Sequence, residues 1–240
     1  MEYNSNQTTD NGLRWMDKSV QTLGQYTAKT FGWMALGLLA TFVISIGFYS
    51  SGMVSILYSV PALPFVLAIV ELIVVFVLSA RIQKMSARTA TLLFFTYALL
   101  NGLTFSSLFI IYDAEVLVFV FGITSLYFAA LAAYGYFTKR DLSSLRPILF
   151  LGALFLLVFW VLSMFLHLSQ FDTVVCLVGL VIFMGYTAYD TQKIKAYYTI
   201  AANNSEMAEK GSILCALALY LDFVNIFLYI LRLIGRKSDS

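Results

Sequence analysis

Long, mostly apolar stretches separated by short charged segments form the dominant pattern of the chain. Five stretches contain no Asp, Glu, Lys or Arg, and a sixth contains a single Asp: residues 30–70, 89–112, 116–138, 147–171, 173–189 and 212–231. About 20 apolar residues cross a bilayer as an α-helix. The first stretch is therefore long enough for two helices, and Ser50, Ser51, Gly52 and Pro61 supply a break within it. The pattern predicts seven transmembrane helices, near residues 31–49, 62–81, 89–112, 116–138, 147–168, 172–190 and 212–233.

Helices are favoured over a barrel because backbone polar groups must be satisfied within the lipid. Barrel strands would appear as segments of about ten residues with alternating hydrophobicity, and no such alternation occurs along this chain. We therefore predict an all-α polytopic membrane protein, with a transmembrane domain over residues 31–235 and a short carboxyl-terminal tail over 236–240.

The polar residues 1–30 are predicted to form a cytoplasmic amino-terminal segment. Leu13, Met16, Val20 and Leu23 recur at helical spacing, which is typical of a short helix lying in the membrane interface. A helix that binds a partner protein is the alternative. The first apolar stretch is too long for a signal-peptide core and lacks a small-residue cleavage site, so we expect the first span to remain in the protein.

Composition agrees with the membrane assignment. Of the 240 residues, 60% are hydrophobic and only 12% are charged, and the mean hydropathy is +0.84. A soluble globular domain carries about 25% charged residues, so this composition excludes one. The net charge of +2 is distributed over the loops, which gives no support to nucleic-acid binding.

Basic residues alternate between the predicted loops, and this alternation predicts an orientation. By the positive-inside rule, the amino terminus and every second loop are cytoplasmic. Arg232, Arg236 and Lys237 would then lie outside after seven crossings. A re-entrant last segment with only six crossings would remove this conflict, but the segment is long enough to cross, so we favour seven. The cytoplasmic basic residues are Arg14, Lys18, Lys29, Arg81, Lys84, Arg88, Lys139, Arg140, Arg146, Lys193, Lys195 and Lys210.

A few ionisable residues fall within the predicted spans, where each needs a reason because burial of a charge in hydrocarbon is costly. Glu71 lies in the middle of the second helix, and Asp222 lies well inside the seventh. Asp190 and Arg81 lie near cytoplasmic helix ends. Both residues also have a purely structural interpretation: Asp190 as a solvent-exposed residue at a helix end, and Arg81 as a side chain that snorkels to the membrane surface.

Two asparagines also lie at membrane depth. Asn101 is midway along the third helix, and Asn225 follows Asp222 by about one turn on the seventh. Such side chains often hydrogen-bond across helices and hold them together. Together with Glu71 they are candidates for lining an ion pathway.

Asp190 and Asp222 are candidates for a pair, because the sixth and seventh helices are consecutive and antiparallel. Two carboxylates brought together in a dry site cannot easily both be ionised, so they share a proton and titrate as a unit. An arginine from a third helix would compete with that proton, which would give a switch with two states.

Four long motifs of the chain are distinctive: GYTAYDTQKIK, ALALYLDFVNIFLYILRLIG, NGLTFSSLFIIY and YGYFTKRDLS, at residues 185–195, 216–235, 101–112 and 134–143. Together they resemble the Bax inhibitor-1 family, also called the transmembrane Bax inhibitor motif family, in its bacterial branch, and the resemblance runs from about residue 31 to 235.

The resemblance implies six helices in two layers around a central carboxyl-terminal helix. It also implies a pH-sensitive calcium leak of the cell (inner) membrane, gated by an aspartate pair that falls on Asp190 and Asp222. The acidic residue of the family's second helix falls on Glu71. The resemblance makes Arg81 the candidate for the family's latch arginine. Arg81 lies one residue from the expected position, where Ile82 stands, and one residue rotates a helical side chain by about 100°.

The predicted function is therefore a calcium (cation) leak channel, with Asp190 and Asp222 as a transient calcium site. Oxygen ligands suit calcium, but these carboxylates alone do not fill its 6–8 positions, so we expect passage with water and carbonyl ligands and no tightly bound cofactor. The alternative is a regulator that binds other membrane proteins, such as a membrane protease or stress-response machinery. Ser125, Ala129 and Ala133 form a small-residue row on the fourth helix, which we expect to pack internally.

We expect no enzymatic activity. An intramembrane aspartyl protease would carry GxGD where this chain has LYLDF around Asp222, and no HExxH or GxSxG motif is present. His167, the single histidine, is predicted near the outer membrane interface, far from the acidic residues. Cys176 and Cys215 are expected about 15–20 Å apart along the membrane normal, too far for a disulfide or a shared metal site.

Overall fold

Seven long helices make up the transmembrane domain. The computed structural model describes residues 21–166, 169–201 and 204–235, and within these ranges it contains helices and no strand. Seven helices in the described residues are long and apolar enough to cross a membrane, which confirms the predicted number. They are α1 (Leu23–Ser50), α2 (Leu63–Arg81), α3 (Ala87–Phe105), α4 (Ala114–Phe137), α5 (Arg146–Leu166), α6 (Asp172–Ala201) and α7 (Ser205–Ile234). Most of the predicted interfacial helix, the tail at 236–240 and His167 lie outside the described residues, whereas Leu23 is the first residue of α1.

Short elements connect some of the long helices. A helix at Val54–Ser59 lies in the predicted break between α1 and α2, and a turn of helix at Leu108–Ile111 follows α3. Two 3₁₀ turns, Ser143–Leu145 and Ser169–Phe171, precede α5 and α6.

Three helices extend beyond their predicted ends, and in two of them polar side chains stabilise the added terminal turn. At the start of α1, Thr22 and Gln25 form a capping box, each side chain bonding the backbone N–H of the other. At the start of α7, the Asn204 side chain accepts hydrogen bonds from the N–H groups of Glu206 and Met207. The third, α6, continues to Ala201. Hydropathy detects only the apolar part of each helix and so underestimates its length.

The carboxyl-terminal helix α7 lies at the centre of the domain. It packs most extensively against α6, and then against α1, α4 and α3. Of its most apolar window 67% is buried, against 6% for α2 and 11% for α5. These two most exposed helices pack on α3 and α6 respectively. The side chains that the other helices expose are mostly apolar, as expected where lipid is the solvent.

Helix α7 crosses the domain completely and runs parallel to α1. Near their amino-terminal ends, Lys29 forms an ion pair with Glu209 at 3.7 Å, and the Thr30 and Ser212 hydroxyls are 3.1 Å apart. At the opposite face, Gly235 approaches the ring of Tyr112 so closely that a side chain at this position would collide with it. The two ends of α7 therefore lie on opposite faces, and the re-entrant alternative is wrong.

The small-residue row on α4 does not pack internally, so that prediction is wrong. Ser125 is half-buried, and Ala129 and Ala133 are exposed on the lipid-facing side. The close helix crossing instead involves Gly135, where an added Cβ would collide with the backbone carbonyl of Ala188 on α6. Because every face of α4 is apolar, small-residue spacing alone does not identify the face that packs. The Gly135 contact fixes α6 two residues before Asp190.

Candidate functional site

The contact between α6 and α7 buries two carboxyl groups together. Asp190 is 6% exposed and Asp222 is 3% exposed, and they lie close enough to interact electrostatically. Asp190 reaches this position because α6 continues as a helix well past it, so that the residue is inside the helix pair and not at a helix end. The structure thus brings together the two aspartates that the sequence predicts as a pair.

Lys193 is the cation nearest to the pair. Its Nζ lies 3.6 Å from Asp190 Oδ1, one turn away on α6. The rings of Tyr189 and Tyr197 lie on either side of the ammonium, at 5.7 and 5.9 Å. Such rings favour a cation electrostatically. The positive-inside pattern explains Lys193 only as a cytoplasmic basic residue, although its i+3 spacing from Asp190 could have identified the pairing.

Asp222 has no direct counter-ion and an incomplete set of hydrogen bonds. Its Oδ2 is buried and has no hydrogen-bond partner among the residues that the structure describes. Among the described residues, Lys193 is the only basic residue that forms an ion pair with either aspartate. Two carboxyl groups therefore face one ammonium, so the site carries a net negative charge unless it also holds a proton.

A cavity of about 270 Å³ adjoins the pair and lies between α2, α6 and α7. Asp190 lines this cavity, whereas Asp222 does not. The lining is completed by Ser79, Lys193, Tyr197, Leu214, Cys215, Leu217, Ala218 and Leu221. Polar groups thus concentrate on its α6 side, and apolar residues form its α7 side.

Arg81 lies outside this arrangement. Its side chain is exposed and forms no ion pair within the described residues, whereas Ile82 is buried. The one-residue register difference noted in the sequence therefore has a structural counterpart, since the basic side chain of α2 faces away from the core. The structure does not bring Arg81 to the aspartates.

A second acidic site lies between α2 and α3. Glu71 is half-buried; its Oε1 accepts a hydrogen bond of 2.6 Å from the Thr104 hydroxyl, and its Oε2 accepts one of 3.4 Å from Asn101 Nδ2. Asn101 Nδ2 is also within 3.4 Å of the Tyr97 hydroxyl. Asn101 thus joins two helices, as its position in the sequence suggested.

The polar contacts around Glu71 lead toward α7. The ring of Tyr97 packs edge-on against Tyr220 with centroids 5.6 Å apart. The Tyr220 hydroxyl lies 2.6 Å from that of Thr41 on α1, which also donates to the carbonyl of Ala98 at 2.9 Å. These contacts lie on a different side of α7 from the aspartate pair. Tyr220 precedes Asp222 by two residues, so the two sites share one segment of the central helix.

Asn225 belongs to neither group of side chains. It is half-buried, and its Nδ2 donates to the carbonyl of Leu221 at 2.7 Å within its own helix. Across the described residues, the side chain makes no hydrogen bond to another helix. Its place in an ion pathway stays a prediction.

Hydrogen bonds outside the apolar span anchor α6 beside the aspartate pair. The Gln192 side chain accepts from the N–H of Leu142 at 2.9 Å and donates to the carbonyl of Arg140 at 2.8 Å, and Lys195 donates to the carbonyl of Tyr136. In the same loop, the Ser143 N–H and hydroxyl hold the pKa of the exposed Asp141 carboxyl below its usual range. The connection between α4 and α5 is thereby tied to the end of α6.

The arrangement provides few ligands for a resident metal ion. Among the described residues, no group of three or more His, Cys, Asp or Glu side chains lies together. Calcium takes about 6–8 oxygen ligands, and the aspartate pair offers at most four. No disulfide joins Cys176 and Cys215, both of which are buried.

Comparison with known proteins identifies relatives along nearly the whole chain. A family profile described as "Inhibitor of apoptosis-promoting Bax1" matches residues 23–239. The "Inner membrane protein YbhL" of Escherichia coli is 40% identical over 217 residues, which cover 90% of this chain and 93% of that protein. An uncharacterized protein of Rickettsia prowazekii is 36% identical over 234 residues, covering 98% of this chain and 94% of its own length.

Proposed function

Since the chain belongs to the Bax inhibitor-1 family of multi-pass membrane proteins, we propose that it is a pH-sensitive calcium leak channel gated by Asp190 and Asp222. We place it in the bacterial inner membrane, because its Escherichia coli relative is named as an inner membrane protein. The proposed activity is ion passage and not an enzymatic reaction.

The observation that carries the proposal is a buried pair of carboxyl groups beside a single ammonium. Burial of a net charge is expensive, and removal of two like charges from water is more so. One proton held by the pair would balance the site, with one carboxylate opposite Lys193 and one neutral carboxyl group. Loss of that proton would leave a net negative charge and repulsion between α6 and α7.

This charge balance gives the proposed gate its direction. At low pH the pair holds its proton, the helices stay packed and the site does not attract cations. As pH rises the proton leaves, the carboxylates repel each other, and a cation replaces the missing positive charge. Calcium flux is therefore expected to rise with pH. A divalent cation is favoured over a monovalent one because the Coulomb attraction scales with its charge.

The proposed ion pathway runs between the cavity beside Asp190 and the carboxylate of Glu71. Ser79 lines the cavity, and it lies two turns, or about 12 Å, from Glu71 along α2. The residues of α2 between them are apolar, and Leu78 is completely buried. A conducting state would require this apolar segment to separate from its neighbours so that water, backbone carbonyls and Asn101 complete the calcium shell.

The test is calcium flux into liposomes containing the purified chain, measured across pH. Wild type is expected to show flux that increases with pH, whereas Asp190→Asn and Asp222→Asn remove that dependence. Asp141→Asn is the matched control, because Asp141 is exposed in a loop away from the pair and should leave the profile unchanged. Unaltered flux and pH dependence in both membrane variants would overturn the proposal.

The alternative function, a regulator that binds other membrane proteins, has one structural point in its favour. Ala129 and Ala133 form an exposed small-residue face on α4, and such faces permit close helix packing. Crosslinking in cells discriminates between the two. A stable partner whose loss reproduces the phenotype of deleting this chain favours regulation, whereas flux from the purified chain favours the channel.

A further inference from the structure

A second cavity, apart from the aspartate pair, lies in the half of the domain at the carboxyl-terminal end of α1. It has a volume of about 430 Å³ and is bounded by α1, α3, α4 and α7. Its lining is apolar except for the hydroxyls of Thr41 and Ser45. The volume falls within the range of about 300–1,000 Å³ that is common for small-molecule sites.

The lining residues indicate that the cavity opens sideways, between α1 and α4. Helices α1 and α4 make little contact with each other, and the gap between them forms the opening. Leu39 and Phe42 on α1 and Val118 and Phe121 on α4 line the cavity and are also exposed at the surface. In a membrane, molecules reach such an opening from the acyl-chain region.

One polar group in the cavity has no partner. The Thr41 hydroxyl bonds Tyr220 and the carbonyls of Gly37 and Ala98. Ser45 also lines the cavity and is 2% exposed, but its Oγ has no hydrogen-bond partner among the described residues. A buried hydroxyl without a partner costs free energy, and an occupant that offers an oxygen acceptor would remove this cost.

The position of Ser45 matches the depth of a phospholipid ester group. Ser45 lies about 7–8 Å along the helix axis from the last residue of α1, which places it near the boundary between hydrocarbon and headgroups. The lining of α1 extends from Ser45 inward to Ala35, about 15 Å along the axis. One leaflet contributes about half of the 30 Å hydrocarbon thickness, so the cavity is as long as one acyl chain.

We propose that this cavity binds one acyl chain of a phospholipid from the adjacent leaflet, with the Ser45 hydroxyl donating a hydrogen bond to the ester carbonyl. The chain enters between α1 and α4 and lies against Phe223, Val224 and Phe227 of the central helix. This site is independent of the proposed channel activity, because lipid binding is measured without calcium.

Photocrosslinking in a membrane tests the site. The full chain is reconstituted into phosphatidylethanolamine and phosphatidylglycerol nanodiscs that contain a trace of phospholipid with a photoreactive acyl chain, and adducts are located by mass spectrometry. Adducts are expected to concentrate on the cavity-lining segments of α1, α4 and α7, above the level on α5, which exposes many side chains to lipid. Equal labelling of the cavity and α5 would overturn the proposal.

Two variants with matched controls sharpen this experiment. Ala35→Trp fills the inner part of the cavity and should reduce its adducts to the α5 level, whereas Ala130→Trp, at an exposed position outside the cavity, should not. In a competition experiment, unlabelled phospholipid displaces the photoreactive probe. Ser45→Ala should weaken this displacement about two- to tenfold, the range expected for one hydrogen bond. Ser163→Ala, whose hydroxyl bonds its own helix, should leave competition unchanged.

The outcomes distinguish phospholipid from other occupants. Undiminished cavity labelling in folded Ala35→Trp protein would overturn the proposal, and so would displacement of the phospholipid probe by free fatty acid at lower concentration than by unlabelled phospholipid. Gel filtration and thermal unfolding establish that each variant is folded. The wild-type distribution of adducts and the conservative Ser45→Ala variant decide the question even if Ala35→Trp does not fold.

Discussion

Two acidic sites lie in the same membrane domain, and their carboxylates are held in different ways. Glu71 accepts hydrogen bonds from two neutral side chains, Thr104 and Asn101, and is half-buried. Asp190 and Asp222 are almost completely buried, Lys193 forms an ion pair with Asp190 alone, and Asp222 Oδ2 has no partner among the described residues. The first site has hydrogen bonds to both oxygens, whereas the second has an unbalanced charge.

This difference indicates which acidic site is suited to respond to pH. Neutral donors stabilise one ionised carboxylate, and nothing in the contacts of Glu71 changes if a neighbour gains or loses a proton. Each aspartate of the pair, in contrast, alters the electrostatic environment of the other, so proton binding at the two is linked. The contrast supports the proposal that the pair is the pH sensor, with Glu71 as a passive part of the proposed ion pathway.

The largest expected effect comes from removing the single cation. Lys193→Met leaves two carboxyl groups without a counter-ion, and we expect a loss of about 2–3 kcal/mol of unfolding free energy, below the 3–5 typical of a fully buried pair because the Lys193 side chain is 37% exposed. Adding Asp222→Asn should restore part of the loss, because one negative charge is removed. Chemical denaturation in detergent measures both. Equal stability of wild type and Lys193→Met would contradict the charge imbalance.

A smaller effect is expected at the Glu71 site. Thr104→Val removes the shorter of the two hydrogen bonds to Glu71 and should cost about 1–2 kcal/mol, since Asn101 remains and the site is half-buried. Thr91→Val is the matched control, because the Thr91 hydroxyl bonds a carbonyl of its own helix. If both variants lose the same stability in denaturation, the interhelical bond contributes nothing.

Neutralising Glu71 should change the amount of flux and not its pH dependence. Glu71→Gln keeps an acceptor for Thr104 while removing one charge from the proposed pathway. We expect lower calcium flux with an unchanged pH midpoint, because Glu71 and the aspartates have no shared hydrogen bond in the described structure. A shifted midpoint in the liposome assay would contradict this expectation and would indicate that Glu71 and the aspartates titrate together.

The smallest effect is expected at Arg81. Arg81→Gln should change stability by no more than about 0.5 kcal/mol, as is usual for an exposed side chain, and should leave the pH profile of flux unchanged. Lys193→Gln removes the same charge from the aspartate site and should shift the profile. The reverse result, with a shift only in Arg81→Gln, would restore Arg81 as the latch of the gate.

The sequence predicts the coarse features of this molecule because membrane helices are long and apolar. The seven spans follow from length and hydropathy, and the approach of Asp190 and Asp222 follows from the adjacency of two antiparallel helices. Rotation about a helix axis is harder to predict where all faces are apolar. For this reason the prediction that Ser125, Ala129 and Ala133 form the packing face of α4 is wrong. The pairing of Lys193 was missed because a basic residue near a helix end is also expected from the positive-inside rule.

The shared proton of the aspartate pair is the central claim, and infrared spectroscopy of the reconstituted chain across pH measures it directly. The account predicts one protonated carboxyl band in wild type, lost over the pH range in which calcium flux rises. The band should be lost in Asp222→Asn, because the remaining carboxylate, Asp190, forms the ion pair with Lys193. A band unchanged in Asp222→Asn, or flux that rises where the band stays constant, would contradict the account.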